Sequence, residues 1–121
     1  MDDARRALLE APPHRMVEHI EAELGLSRGD LADALGVDPR TLQRWYSGQS
    51  YPQREARHRL FELDHLRIRL RHTFTSSDAV HSWMRVPSAY LSQLTPLEVL
   101  RAGRPDRVEA ALEALDSGIF I

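Results

Sequence analysis

Apolar side chains recur every three or four residues along almost the whole of this 121-residue chain, and that spacing constrains the fold most. Residues at such intervals share one face of an α-helix, whereas a half-buried strand would alternate apolar and polar positions. No apolar run approaches the roughly 20 residues of a membrane span. The chain also lacks cysteine, which excludes disulfides, thiolate metal sites and cysteine nucleophiles. The sequence therefore predicts an all-α fold.

Capping and breaking residues divide the first half of the pattern into three short helices. Serine and aspartate favour helix starts, proline fits the first helical turn, and glycine favours helix ends. The expected boundary residues are, in chain order, Pro12-Pro13, Gly25, Ser27, Gly36, Asp38-Pro39 and Ser47-Gly48. Asp30 stands three residues after Ser27, which predicts an imperfect capping box.

A long helix is predicted from about Gln53 to Phe74, with Ala56, Leu60, Leu63, Leu66 and Leu70 along one stripe. The polar stretch 75–78 interrupts this pattern, and we place a boundary between two modules there, residues 1–74 and 75–121. Ser77 is expected to cap the next helix, with Val80, Trp83 and Met84 pointing inward and Trp83 as a core anchor. Thr95-Pro96 and Pro105 predict the starts of two further helices, and Gly118 the end of the second.

Residues 30–48, DLADALGVDPRTLQRWYSG, combine a small residue, a turn glycine and a second amphipathic helix. Ala32 allows the two helices to cross closely, and Gly36 makes the turn between them. Leu42 and Trp45 seat the second helix on the first. This pattern is that of a helix-turn-helix, and it resembles the Xre (phage-repressor-like) family.

The resemblance covers roughly residues 14–60 and implies DNA recognition in the major groove by the second helix. The residues at the matching positions are Arg28, Arg40, Thr41, Gln43 and Arg44. In this family Arg28 would contact a phosphate. Nine arginines against six acids give residues 27–72 a net charge of +3, between flanks of −3 and −2. The alternative is that these polar residues form only a solvated helix surface.

The C-terminal segments SWMRVPSAYLSQLTPLEVLRAG (82–103) and RVEAALEALDSGIFI (107–121) resemble the Xre/MbcA/ParS-type toxin-binding domain. The landmarks are Trp83, Pro87, Leu91, Thr95-Pro96, Leu100, Gly103, Val108 and Gly118 with an apolar tail. Ser88 departs from the asparagine that is common after the proline. The pair Gln93-Leu94 also replaces a more usual glycine.

Together the two resemblances imply an antitoxin of a type II toxin–antitoxin system, a protein that is not an enzyme and carries no cofactor. The implied partner is a RES-domain toxin that consumes NAD, whose active-site cleft the antitoxin would obstruct. The helix-turn-helix would repress the antitoxin's own operon by binding operator DNA, as a homodimer within a larger complex. The alternative is a stand-alone repressor whose second module dimerises or senses a ligand.

We expect toxin binding to involve the tail, Gly118, Ile119, Phe120 and Ile121, because an apolar terminus must cover its own core or enter a partner's cleft. The alternative is that Ile119 packs against Leu115. No motif for a nucleophile elbow or phosphate loop is present. His58, His65 and His72 are spaced about 10.5 Å apart along one helix face, too far to share a metal ion. The start of the chain lacks a signal peptide, so a cytoplasmic location is expected.

Overall fold

The computed structural model describes residues 13–118, which form seven α-helices. They are α1 (Pro13–Leu24), α2 (Arg28–Leu35), α3 (Pro39–Ser47), α4 (Arg54–Thr73), α5 (Ser77–Met84), α6 (Pro96–Arg101) and α7 (Pro105–Asp116). A 3-10 turn, Ala89–Leu91, lies between α5 and α6. Within residues 13–118 no strand forms, which confirms the predicted all-α class. In the same range no helix is long and apolar enough to cross a membrane.

The ends of α2 and α3 follow from local hydrogen bonds. The Ser27 hydroxyl accepts from the Asp30 amide and the Asp30 carboxylate accepts from the Ser27 amide, both at 3.0 Å. The capping box that the sequence predicts as imperfect is thus complete. Gly36 ends α2 in the left-handed conformation, with φ of 67°, and so turns the chain into α3. The Asp38 carboxylate then accepts from the Arg40 amide at 2.8 Å.

One hydrophobic core joins the two sides of the predicted module boundary. The central helix α4 packs against α1, α2, α5 and α7. Its stripe Leu60, Leu63, Leu66 and Leu70 is fully buried in a cluster that also contains Leu42 of α3 and Leu112 of α7. The helix-turn-helix therefore does not stand apart from the C-terminal helices, because both bury their apolar faces on α4.

The cap of α5 corrects one sequence prediction. The residue whose side chain caps this helix is Ser76, whose hydroxyl accepts from the Ala79 amide at 3.1 Å, and not Ser77. The Ser77 hydroxyl instead donates to the Glu23 carboxylate of α1 at 2.6 Å. Arg71 donates to the same carboxylate. A serine predicted to act locally thus links α5 to α1.

Ser77 is expected to make the stability of the fold depend on pH. The Ser77 hydrogen bond, followed by the charge of Arg71, holds the pKa of the Glu23 carboxyl below its ordinary value of 4.5. A depressed pKa in the folded state contributes stability above the ordinary value, and that stability is lost as the pH falls through the folded-state pKa. Replacing Ser77 with alanine should therefore lower the free energy of unfolding by about 1–2 kcal/mol at neutral pH. In urea titrations from pH 7 to pH 3, the difference from the wild type should shrink. A difference independent of pH would contradict this.

Candidate functional surfaces

The outer face of α3 carries three of the residues that the sequence assigns to DNA. Arg40, Gln43 and Arg44 are exposed on the side opposite Leu42 and Trp45, which are buried against the core. Among the described residues, the side chains of Arg40 and Arg44 form no ion pair. A fourth candidate, Thr41, is half-buried and lines a cavity beside Trp45. The structure thus brings two unneutralised guanidinium groups and one amide to a single helix face.

Arg28, the fifth candidate, lies at the start of α2 and reaches across to α3. Its guanidinium donates from Nη1 to Oε1 of Gln43 at 2.7 Å. The same guanidinium lies over the ring of Tyr46, with its central carbon 3.9 Å from the ring centroid. A cation over an aromatic face is attracted by the ring's quadrupole. Arg28 is therefore held by two side chains of α3 and stands near the outer face of that helix.

The C-terminal helices hold the end of α1 through a hydrogen-bond clamp that the sequence analysis did not predict. The His81 ring donates from Nε2 to the carbonyl of Ala22 at 2.8 Å, and Arg85 donates to the carbonyl of Gly25 at 2.7 Å. Gly25 has a φ of 68°, and a Cβ there would lie 2.7 Å from the His81 ring. In the sequence, Gly25 is the residue that marks this contact, but a glycine at that position predicts only the end of a helix.

A second clamp joins α2 to the end of α6. Arg101 lies 3.1 Å from the Asp33 carboxylate and 3.6 Å from that of Asp30. Both sides of this pair are at least partly exposed, so its contribution to stability is small. It links α2 of the helix-turn-helix to the end of α6.

An apolar groove of about 290 Å³ opens between α5, the 3-10 turn and α7. Its apolar lining residues are Trp83, Val86, Pro87, Ala89, Tyr90, Ala111 and Leu115. The expectation that Trp83 is a core anchor holds only in part. Its ring packs on Phe74 with centroids 5.8 Å apart, but it is partly exposed, and the neighbouring Met84 is the residue that is fully buried.

Large apolar side chains stand exposed beside this groove. Val86 is 57% exposed, Tyr90 36% exposed and Leu94, four residues further along the chain, 46% exposed. We refer to Val86, Pro87, Tyr90 and Leu94 as the α5–α6 patch. Isolated apolar residues are common on protein surfaces, but Val86, Pro87 and Tyr90 line the same groove, and exposed apolar residues grouped in this way indicate an interaction site.

The loop that presents Leu94 adopts a strained backbone. Ser92 and Gln93 have φ values of 58° and 70°, which side chains other than glycine rarely adopt. The Gln93 amide donates to the Ser88 carbonyl at 2.8 Å, and the Ser88 amide donates to the Leu94 carbonyl at 2.9 Å. These bonds close a tight loop. The glycine that is usual here in the resembling family would adopt this conformation without strain.

Replacing Gln93 with glycine should therefore stabilise the protein. A residue other than glycine in the left-handed conformation costs on the order of 1–2 kcal/mol, and the glycine variant avoids this cost. Glycine also has more conformational freedom in the unfolded chain, which offsets part of the gain in stability. We expect a gain of about 0.5–1 kcal/mol in the free energy of unfolding, measured by urea denaturation. The variant Gln93→Ala serves as the control, because it removes the same side chain but keeps the Cβ. Equal stability of the two variants would contradict the assignment of strain to the backbone.

Two histidines, His65 and His81, contact residues of other helices. His65 pairs with Glu109 of α7 at 2.9 Å between Nε2 and the carboxylate. From residue 13 to residue 118, no three side chains of the metal-ligating types lie close enough together to hold an ion. The contact of His65 with Glu109 thus links α4 to α7.

Gly118 follows the last turn of α7 and is exposed, with a φ of 72°. Among the tail residues predicted to bind a toxin, Ile119, Phe120 and Ile121 lie outside the described residues. Leu115, one helical turn before Gly118, lines the apolar groove. The point at which the tail begins is therefore next to the α5–α6 patch.

Comparison with known proteins supports both resemblances. Residues 3–55 match the antitoxin Xre-like helix-turn-helix domain, and residues 69–118 match the antitoxin Xre/MbcA/ParS C-terminal toxin-binding domain. The mycobacterial cidal antitoxin MbcA of Mycobacterium tuberculosis H37Rv is 33% identical over 98 residues, which cover 81% of this chain and 86% of that protein. MbcA of Mycobacterium bovis shows the same identity and coverage.

A solved structure agrees with the sequence matches. A chain in the crystal structure of the M. tuberculosis MbcT-MbcA toxin–antitoxin complex superposes with a TM-score of 0.66 at 30% identity. The match covers 89% of this chain and 96% of that one. The likeness thus extends over the helix-turn-helix and the C-terminal helices together. The chain accordingly belongs to the Xre/MbcA/ParS antitoxin family, and it is an antitoxin with a toxin-binding domain and not an enzyme.

Proposed function

We propose that this antitoxin neutralises a RES-domain, NAD-consuming toxin by binding it through the C-terminal helices and obstructing its active site. The observation that carries the proposal is the α5–α6 patch, which lies within residues 69–118, the match to the toxin-binding domain. The related MbcA occurs in a complex with its toxin MbcT. The RES and NAD assignments rest on the resemblance of residues 82–121 to the RES-partner antitoxins.

The position of the patch suits both the docking of the toxin and the obstruction of its active site. When a partner covers Val86 and Leu94, their apolar surface is removed from water, which favours binding. The tail begins after Gly118, beside the same groove. We propose that residues 119–121, which follow Gly118 in the sequence, enter the cleft of a toxin seated on the patch.

Co-expression with the product of the neighbouring gene, which we propose to be a RES-type toxin, tests this proposal. The wild-type antitoxin should preserve cellular NAD and growth, and Val86→Asp should lose that protection because it places a carboxylate in the apolar contact. Tyr51→Asp is the matched control. Tyr51 is likewise exposed, at 64%, but belongs to the N-terminal module. Failure of the wild type to protect NAD, or equal loss in both variants, would refute the proposal.

We further propose that the antitoxin represses its operon through the outer face of α3. The support is that Arg40 and Arg44 stand unpaired there among the described residues, inside the positively charged middle of the chain. A two-fold operator is read by a two-fold protein, so we propose a homodimer on DNA. A stand-alone repressor would bind this operator equally well but leave NAD unprotected.

Replacing Arg40 or Arg44 with alanine should weaken binding to the operator DNA upstream of the gene by about 1–3 kcal/mol each and relax its sequence preference. Fluorescence anisotropy at fixed salt measures the affinity, since phosphate contacts make it depend on salt. Arg107→Ala is the control, because it removes the same charge from the exposed face of α7. If all three variants bind like the wild type, α3 is scaffold only.

A further inference from the structure

In the contact between Arg28 and Gln43, Arg28 is the hydrogen-bond donor and Gln43 is the acceptor. A guanidinium carries five N–H donors and no acceptor, whereas a glutamine amide carries an acceptor oxygen and a donor NH₂ group. The atom that receives the 2.7 Å hydrogen bond from Arg28 must therefore be Oε1 of Gln43. The orientation of the amide follows from this chemistry alone. Its NH₂ group then points away from Arg28.

Arg28 is itself held in place, so it can orient its neighbour. The Tyr46 ring lies beneath its guanidinium at 3.9 Å. The charge of Arg28 also acts on Glu21 of α1, where it opposes the rise in the pKa of that carboxyl caused by burial. An arginine that is stacked, hydrogen-bonded and close to a carboxyl group attracts a phosphate less than a free one does. Its position suits it to orienting Gln43 more than to a phosphate contact.

This orientation changes what Gln43 can recognise. A glutamine reads adenine by accepting from N6 and donating to N7 at the same time, which requires both ends of its amide. Arg28 takes one of the two lone pairs of Oε1, and the C=O bond is directed at Arg28, so the side of the amide that faces away from Arg28 carries the NH₂ donor. Guanine offers two acceptors, O6 and N7, on its major-groove edge, whereas adenine offers one acceptor and one donor.

We infer that Arg28 is a positioning residue that makes Gln43 read guanine in place of adenine at one position of each operator half-site. The inference rests on the proposed DNA binding by α3. It also replaces the phosphate contact that the family resemblance implies for Arg28.

Selection from a pool of random duplex DNA with the full chain tests this inference. The wild type should prefer guanine at one position of the half-site by about tenfold over adenine. Gln43→Ala should lose the preference at that position and keep it elsewhere. Arg28→Met should shift the same position toward adenine, because it frees Oε1, and the double variant should behave like Gln43→Ala.

Tyr46→Phe is the matched control. It keeps the ring under Arg28 and removes a buried hydroxyl that has no hydrogen-bond partner among the described residues. Its base preference should equal that of the wild type. The inference is overturned if Arg28→Met weakens binding to all sequences alike with a shallower salt dependence, since Arg28 would then be a phosphate contact. A wild type that selects no sequence at all refutes the DNA-binding proposal itself.

Discussion

Deletion of Ile119–Ile121 should abolish neutralisation of the toxin while the antitoxin stays folded and still binds operator DNA. These three residues are apolar and follow Gly118, whose left-handed backbone takes the chain off the path of α7. The NAD-binding cleft that we propose for the toxin would offer an apolar wall that suits Phe120. Because the helix-turn-helix lies in the other half of the chain, the deletion leaves the DNA-reading residues untouched. Cellular NAD, measured during co-expression with the toxin, gives the readout.

Two controls separate occlusion from folding. Replacing Ile119–Ile121 with three serines keeps the length of the chain and should fail like the deletion. Thermal unfolding of the truncated protein should match that of the wild type. Full protection of NAD by the truncated protein would refute a role of the tail in the cleft. A clear loss of thermal stability would instead favour packing of Ile119 on Leu115.

Replacing Leu66 with alanine should destabilise the whole protein by about 2–5 kcal/mol, a large part of the stability of a domain of this size. Leu66 is fully buried in the middle of α4, the helix on which both α1 and α7 pack. The cavity left by the missing carbons cannot be refilled without moving helices of both modules. We therefore expect both halves of the chain to lose stability together.

The two tryptophans report on the two halves separately. Trp45 lies in the helix-turn-helix and Trp83 in the C-terminal helices, and the chain has no other tryptophan. In the variants Trp45→Phe and Trp83→Phe, urea denaturation followed by fluorescence should give coincident midpoints, and Leu66→Ala should lower both. Ile68→Ala, at a position 37% exposed on the same helix, is the control and should have a much smaller effect. Separate midpoints would indicate two modules that unfold independently.

The ends of α2 and α3 and the start of α6 could be predicted from the sequence because each depends on residues within one helical turn, whereas the cap of α5, predicted at Ser77, lies at Ser76. Ser27 with Asp30, Gly36, and Asp38 with Pro39 act within a single turn, so the pattern of residue types is sufficient. The same holds for the capping box at Thr95 and Glu98. The resemblance to the antitoxin family likewise rests on the succession of residue types along short stretches of the chain.

Only the tertiary structure decided which distant side chains meet. Ser77 contacts Glu23, which is 54 positions away, and Arg85 contacts Gly25, which is 60 positions away. In neither pair do the residues around one partner indicate where along the chain the other partner lies. Helical periodicity likewise placed Trp83 inward, but how much of its ring is covered depends on α7 and the loop after α5. A hydrogen bond within one turn is set by backbone geometry that every helix shares. A hydrogen bond between helices exists only once packing has set their distance and rotation, and the sequence does not state these locally.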